Sequence, residues 1–319
     1  LYEAAARATL APSILNTQPW HWQVHRSSLD LFADTSRQIQ SIDRQRRLLT
    51  LSCGGALHHA CVTLRARGMA PDVDREPDKA QPDLLARIRT TAPHEVSRAD
   101  LTEAASIGQR HSDRRVIAAR APVNPRDIEL LRRAADDCGA QLHRVTAEQR
   151  PFLAMAATRA QTIEDREEPY QRDLVAWTDD RPQGAGIPAE TLVSTNVPRP
   201  VPLRNFAGGG ETGLHPGLGD DTFADYLILA TPGDEPRDWL RGGEAMSAVW
   251  LDATSRRIAA SVLSNVIEVP GARTLVASLL PVRGYPQIVL RIGIAAHPNP
   301  PPASPRRAPK RVIDIDDRA

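Results

Sequence analysis

The chain has 319 residues, 41% of them apolar and 25% charged, with a formal net charge of +1. That length allows one large domain or two smaller ones around a substantial core, and the ordinary composition excludes disorder of the whole chain. Near-zero charge and 4% aromatic residues give no reason to invoke a nucleic acid, and no window approaches the roughly 18 uninterrupted apolar residues of a membrane span.

Basic residues are nearly all arginine, with Lys79 and Lys310 the only lysines, a bias that suits bidentate phosphate recognition. Cys53, Cys61 and Cys138 are odd in number and lack metal-ligand spacing. On one helix Cys53 and Cys61 would lie roughly 12 Å apart along the axis, too far for a disulfide. No signal-peptide pattern is present, and a reducing cytoplasm is the expected setting. The sequence opens at Leu1 in what reads as mid-helix, so a few residues are expected to precede it.

In chain order, "LYEAAARATL" is helix-prone and stops at Pro12. "WHWQVHR" and "LDLFAD" read as strands joined at Arg26-Ser-Ser. Residues 44–69 carry apolar and small residues at helical spacing, with Gly54, Gly55 and Ala56 allowing close approach of a neighbour. A strand, a polar loop and another strand follow, and a fresh start comes at "DLTEAASIGQRHSDRR". Asn124 is placed to cap a helix with Pro125 at its first position. "QLHRV" reads as a strand and 151–166 as a helix. Residues 167–222 are rich in Pro, Gly and Asp and too long for a connector, which marks a lid or binding loop. "FADYLILATPG" is a strand, Arg237 to Leu263 one long helix, "GYPQIVLRIG" a buried strand, and a proline-rich tail closes the chain. The two long helices superpose without gaps: Gly54 on Gly243, Ala56 on Ala245, Leu57 on Met246, Val62 on Leu251.

Three segments carry chemistry. "RHSDRR" at Arg110 to Arg115 and "SPRRAP" at Ser304 to Pro309 offer guanidinium groups and hydroxyls suited to a phosphate dianion, each charge-assisted bond contributing roughly 1.5–3 kcal/mol. "PSILNTQPW", Pro12 to Trp20, offers a rigid turn and an amide suited to a flat polar heterocycle. Together they describe a mononucleotide such as FMN.

On these residues the chain resembles the nitroreductase superfamily of FMN flavoproteins. "RHSDRR" followed by "LLRRAAD" is similar to that family's opening Arg-x-Ser-x-Arg/Lys element and first helix. "APSILNTQPW" is similar to its Pro-Ser-x-x-Asn element, and "GYPQIVLRIG" with "PRRAP" to its closing strand and basic pair. The family places the basic element first in a half-length chain, and the flavin at a homodimer interface. Here the order is reversed and each element occurs once, which resembles the Acg-type actinobacterial branch, a nitroreductase dimer fused into one chain. The resemblance implies an α+β fold of two nitroreductase-like halves, residues 1–98 and 99–319, the second containing a lid at 167–222. It implies one non-covalent FMN, held by Pro12, Ser13, Ile14 and Asn16 from the first half. Arg110, Ser112 and Arg114 would hold ribityl and phosphate oxygens with His111 beside them through its backbone, Arg306 and Arg307 would close on the phosphate, and Ser264 and Asn265 would stand near flavin N5.

Other reactive-looking residues have plain structural readings. Trp20 and Trp22 read as packing, and Asn16 can also brace its own turn. His21 and His25 would be about 13 Å apart on a strand, too far to share a metal. His58 and His59 lie in a packed helix. "GGGETG", Gly208 to Gly213, lacks the Gly-Lys-[Ser/Thr] of a phosphate loop and reads as lid. No triad or metal cluster is evident, as expected where the flavin carries the chemistry. The expected activity is reduction of FMN by NAD(P)H and of a nitroaromatic or quinone by the flavin, with no catalytic side chain. The alternative is a protein that sequesters, stores or senses flavin under its lid, favoured if Trp177, Pro198 to Pro202 or Phe206 packs over the flavin face. The fused chain is expected to act as a pseudo-dimer, with no membrane partner.

Overall fold

In chain order the computed structural model runs α1 (Tyr2–Ala8), β1 (Trp20–Val24), β2 (Ser28–Ala33), α2 (Arg47–Ala66), β3 (Met69–Arg75), β4 (Leu84–Pro93), α3 (Arg98–Gln109), α4 (Pro125–Asp137) and β5 (Gln141–Arg144). It continues with α5 (Arg150–Glu164), α6 (Glu168–Thr178), β6 (Asp225–Thr231), α7 (Pro236–Ser255), β7 (Ile258–Val262), α8 (Asn265–Glu268), α9 (Pro270–Ala277), β8 (Tyr285–Ile294) and β9 (Ile313–Ile315). The structure describes residues 1–117, 122–178, 184–193, 197–206, 213–295, 297 and 299–316.

The strands form two sheets, ordered β3-β4-β2-β1-β9 and β5-β6-β8-β7. Every pairing is antiparallel except that of β9 with β1. The first sheet buries Trp20, Trp22, Leu29, Leu31 and Ile88 against α1 and α2, so the two tryptophans are core. The second packs Leu227, Leu229, Ile288 and Leu290 against α4 and α7. Alternation along β1, buried at Trp20, Trp22 and Val24 and half-exposed between, is what a sheet covered on one face requires. Asn124 caps α4 through its side chain, with Pro125 at the first helical position, as predicted.

The halves meet where α2 crosses α7. A Cβ on Gly54 would sit 2.0 Å from the Leu240 carbonyl oxygen, and one on Gly243 would sit 1.9 Å from that of Leu51. The contact is therefore reciprocal about a local twofold, and only glycine permits it. Both helices have 20 residues. The His58 Nδ1 to Ser247 Oγ contact of 3.0 Å spans the same 189-residue separation, so the offset legible in sequence is the pseudo-symmetry operator.

Three expectations change. The second long helix stops at Ser255, because Arg257 turns left-handed at φ 59 and the apolar run beyond becomes β7. Residues 167–222 contain a helix, α6, whose Tyr170, Leu174 and Trp177 are buried with Leu15, Ile39 and Ile42. The tail is more than a basic appendage: Ile313–Ile315 pairs with Trp22–Val24, so the end of the second half completes the first sheet. Gly208 to Thr212 of the glycine-rich run lie outside the described residues.

Candidate flavin site

The Ser13–Gln18 turn is built on unusual backbone. Leu15, Asn16 and Gln18 all have positive φ, at 42°, 54° and 51°, a conformation that asparagine tolerates and leucine resists. Side chains hold it. The Gln18 backbone N–H donates to Ser13 Oγ at 2.9 Å, and that of Ile14 to Ser52 Oγ on α2 at 3.1 Å. Asn16 Nδ2 donates to the carbonyls of Gly186 and Pro305, and Asn16 Oδ1 accepts from Arg306 Nη1 at 3.2 Å. Gln18 donates to the Gly184 carbonyl and accepts from the backbone N–H of Arg307. One turn thus fastens both the 184–187 segment and the C-terminal tail.

Residues 110–115 are extended beside β7, with Ser112 bridged to Ala260 and the Asp113 N–H donating to the Ala260 carbonyl. Extension sorts the side chains by parity. Asp113 and Arg115 pair with each other at 2.7–2.9 Å, whereas Arg110, Ser112 and Arg114 face a cavity.

That cavity contains about 1250 Å³ of atom-free space, its open mouth included, room for a mononucleotide. Pro12, Ser13, Ile14 and Asn16 form one wall, Arg110, His111, Ser112 and Arg114 another, and Ser304 and Arg306 of the tail a third. Leu48, Leu51, Met246, Trp250 and Ile288 make an apolar middle, and Ser264 stands beside it. Of the residues expected from sequence, ten of twelve meet here. Asn265 is buried next to Ser264 but outside the lining. Arg307 is also outside: its Nη1 donates to Asp34 Oδ2 at 3.2 Å and to the Gln18 carbonyl at 3.1 Å.

No carboxylate lines the cavity among the described residues, yet three guanidiniums do. Arg110 is 8% exposed, lies 4.7 Å from the Trp250 ring centroid, and leaves Nε and Nη1 without hydrogen-bond partners. Burial, with Arg306 adding to it, pushes Arg110 down to about 9 from 12.5. Burial likewise lowers Arg306 to about 10, and its Nε is unpartnered. Arg114, also lowered to about 10 by burial, feels Arg204 and Arg291 instead and lies 4.7 Å from the Phe206 ring centroid. The cavity therefore has a two-cation pole at Arg110 and Arg306 and a separate single cation at Arg114. Burial lowers His111, Arg110 adding to it, so its ring favours the neutral form.

The 184–206 segments form the remaining wall through Ile187, Thr191 and Phe206. Buried Arg204, next to Asn205 and Phe206 in the chain, is anchored to Glu164 at 3.1 Å and to Glu268. Trp177, Pro198 and Pro202 do not line the cavity. Gln18, Ser52 and Trp250 were not singled out from sequence. Gln18 lies inside the quoted turn motif, whereas nothing local distinguishes Ser52 or Trp250.

At the pseudo-equivalent position the second half is filled. Gly55 lies under the cavity turn, its would-be Cβ 3.7 Å from the Pro12 carbonyl oxygen. The same offset on α7 reaches Glu244, which takes Arg75 in a bidentate pair at 2.7 and 2.8 Å.

No family model matches the chain. Among solved structures, a nitroreductase with bound FMN from Bacteroides fragilis is 13% identical, with TM-score 0.38 over 62% of this chain and 90% of its own. A nitroreductase-like protein from Bacillus cereus is 14% identical, with TM-score 0.39 over 71% and 99%. These likenesses are too distant to bear on the site. The Mycobacterium tuberculosis protein named "Putative NAD(P)H nitroreductase Rv3131" is 38% identical over 96% of this chain and 89% of its own length. Another from that organism, "Putative NAD(P)H nitroreductase acg", is 32% identical over 98% and 94%. The chain belongs to the nitroreductase superfamily, in the Acg-type branch that these mycobacterial relatives represent.

Proposed function

We propose that this chain binds one FMN between its two halves, residues 1–98 and 99–319, and acts as an NAD(P)H-dependent oxidoreductase on electron-poor acceptors such as nitroaromatics or quinones. The carrying observation is a cavity that, among the described residues, has no carboxylate in its lining but has unpartnered guanidinium N–H groups at one pole and an apolar middle. Buried, unpaired cations are costly, and an anionic ligand relieves them. The orphaned donors and the hydroxyls of Ser13, Ser112 and Ser264 fit a flavin mononucleotide. Bound there, FMN supplies hydride and electron transfer.

Arg110 and Arg306 are assigned to the phosphate, because their paired charge matches a dianion. Arg114, at its separate position, is assigned to the ring system, where a cation favours the reduced, more negative form. Asn16 acts chiefly by bracing the turn, since the protein already engages both ends of its amide. The Ser264 segment offers backbone groups beside the apolar middle, and Ile187, Thr191 and Phe206 exclude water from it. Names of relatives support NAD(P)H as the reductant.

One observation favours a second reading, sequestration or redox sensing without turnover: Phe206, in a segment held down through Arg204, already forms part of the wall. Anaerobic mixing of the yellow protein with NADH and with NADPH separates the two. Prompt bleaching supports the enzyme, whereas unchanged colour over minutes supports sequestration. A colourless protein that takes up no FMN would overturn both.

A further inference from the structure

On the far side of Leu48 lies a second cavity, with about 1120 Å³ of atom-free space including its mouth. Leu48 borders both cavities, and the α8 turn divides between them, Ser264 facing the first and Ile267 and Glu268 the second. Its walls have two chemistries. Ile42, Ile163, Ile267, Val269 and Tyr170 are apolar or aromatic, whereas Asp43, Glu164, Glu167 and Glu268 are acidic. The lining cations are Arg44 and Arg47, and Arg47 reaches Asp234 at 3.4 Å.

Glu164 and Glu268 stand together in this wall, and burial, with Glu268 adding to it, raises the Glu164 carboxyl against the pull of Arg204. Both side chains are 1% exposed, and they share the single guanidinium of Arg204. Each keeps one oxygen with no hydrogen-bond partner, Oε2 of Glu164 and Oε1 of Glu268. Unsatisfied buried carboxylate oxygens are rare because nothing repays their lost hydration. A ligand with N–H donors and a positive charge would satisfy these oxygens and hold both carboxyls ionised, and the apolar walls would receive its hydrocarbon. Tyr170 donates its hydroxyl to Glu268 Oε2 at 3.2 Å, leaving Oε1 free, and its ring already attracts one cation, the Arg204 guanidinium lying 5.7 Å from its centroid.

We propose that this second cavity is a binding site for a small aryl- or alkylammonium cation, its N–H groups directed at Glu164 and Glu268. It is opposite in sign to the first cavity, where three guanidiniums and, among the described residues, no carboxylate select an anion. One ligand cannot satisfy both.

The test is calorimetric titration of the purified full chain, loaded with FMN where it is retained, with benzylammonium, benzyl alcohol and benzoate. Benzylammonium is expected to saturate one site at least tenfold more tightly than either control. Ile163→Trp, which fills the half-buried wall without touching a carboxylate, is expected to abolish that binding. Glu268→Gln is expected to weaken it about tenfold while leaving the alcohol unchanged. Equal or tighter binding of the alcohol or benzoate, no saturable binding, or binding that survives Ile163→Trp would each overturn the proposal. The ranking of ligands on the unmodified chain decides the matter even if a variant fails to fold.

Discussion

Replacing Arg110 with methionine should move stability and flavin affinity in opposite directions. Burial lowers Arg110 from 12.5 to about 9, which at about 1.4 kcal/mol per tenfold is roughly 5 kcal/mol of strain in the charged form. Removing the charge also removes the contact with the Trp250 ring, worth about 0.5–2 kcal/mol. The net gain for the flavin-free protein is about 3–4.5 kcal/mol. At about 2 °C per kcal/mol for a chain of this size, the melting temperature should rise by roughly 6–9 °C. Two N–H donors, Nε and Nη1, are meanwhile lost to the phosphate. At about 1.5–3 kcal/mol each, affinity should fall by roughly a hundred- to ten-thousand-fold. Scanning calorimetry of flavin-stripped protein and fluorescence titration with FMN measure the two quantities. A lower melting temperature with unchanged affinity would refute the reasoning, because Arg110 would then be a structural residue.

Arg307→Ala should weaken FMN binding by less than about tenfold, since its side chain serves Asp34 and the Gln18 carbonyl; the same titration tests it, and a loss matching Arg110→Met would return Arg307 to the phosphate. Gly54→Ala should cost more than about 3 kcal/mol or prevent folding, because its Cβ would lie 2.0 Å from a backbone oxygen that cannot move aside; chemical denaturation provides the measure. Asp234 accepts from both Arg273 nitrogens at 2.7 Å and from Trp239 at 2.8 Å. Burial alone would raise its carboxyl, but Arg273, then Trp239, outweigh that and hold it below the usual range. With the folded pKa below the unfolded 3.8, this carboxylate stabilises the fold in full above about pH 4, and the contribution is lost as pH falls below that through the lower folded value. Asp234→Asn should cost about 2 kcal/mol at pH 7 and flatten the acid limb of the melting-temperature profile below about pH 4.

What the sequence disclosed depended on whether the signal was local. The Pro12–Trp20 turn, the alternating residues 110, 112 and 114, and the capped helix at Asn124 are short patterns; the structure brings residues of the first two onto one cavity and shows the cap. The glycine pair gave the helix crossing because the repeat offset supplied the missing long-range information. Three other features depended on distant partners. Arg307 turned from the cavity because Asp34, 273 positions away, reaches it. Residues 313–315 became a strand because β1 offered an open edge. Trp250 serves Arg110 from far along the chain, and no spacing announces that contact. The break between α7 and β7 needed one left-handed residue, Arg257, in a run whose composition fits helix and strand alike.

The Gly55 and Glu244 positions bear on the history of the molecule. In an assembly of two identical subunits, any substitution is copied into both pockets at once. A bulky acid in place of that glycine would then have abolished binding altogether. Encoding the halves in tandem removes the constraint, so one pocket can be plugged by Glu244 and Arg75 while Gly55 keeps its twin open. Within one chain the two matching positions are free to differ, and they do, Gly55 leaving room under the Pro12 turn and Glu244 being paired with Arg75.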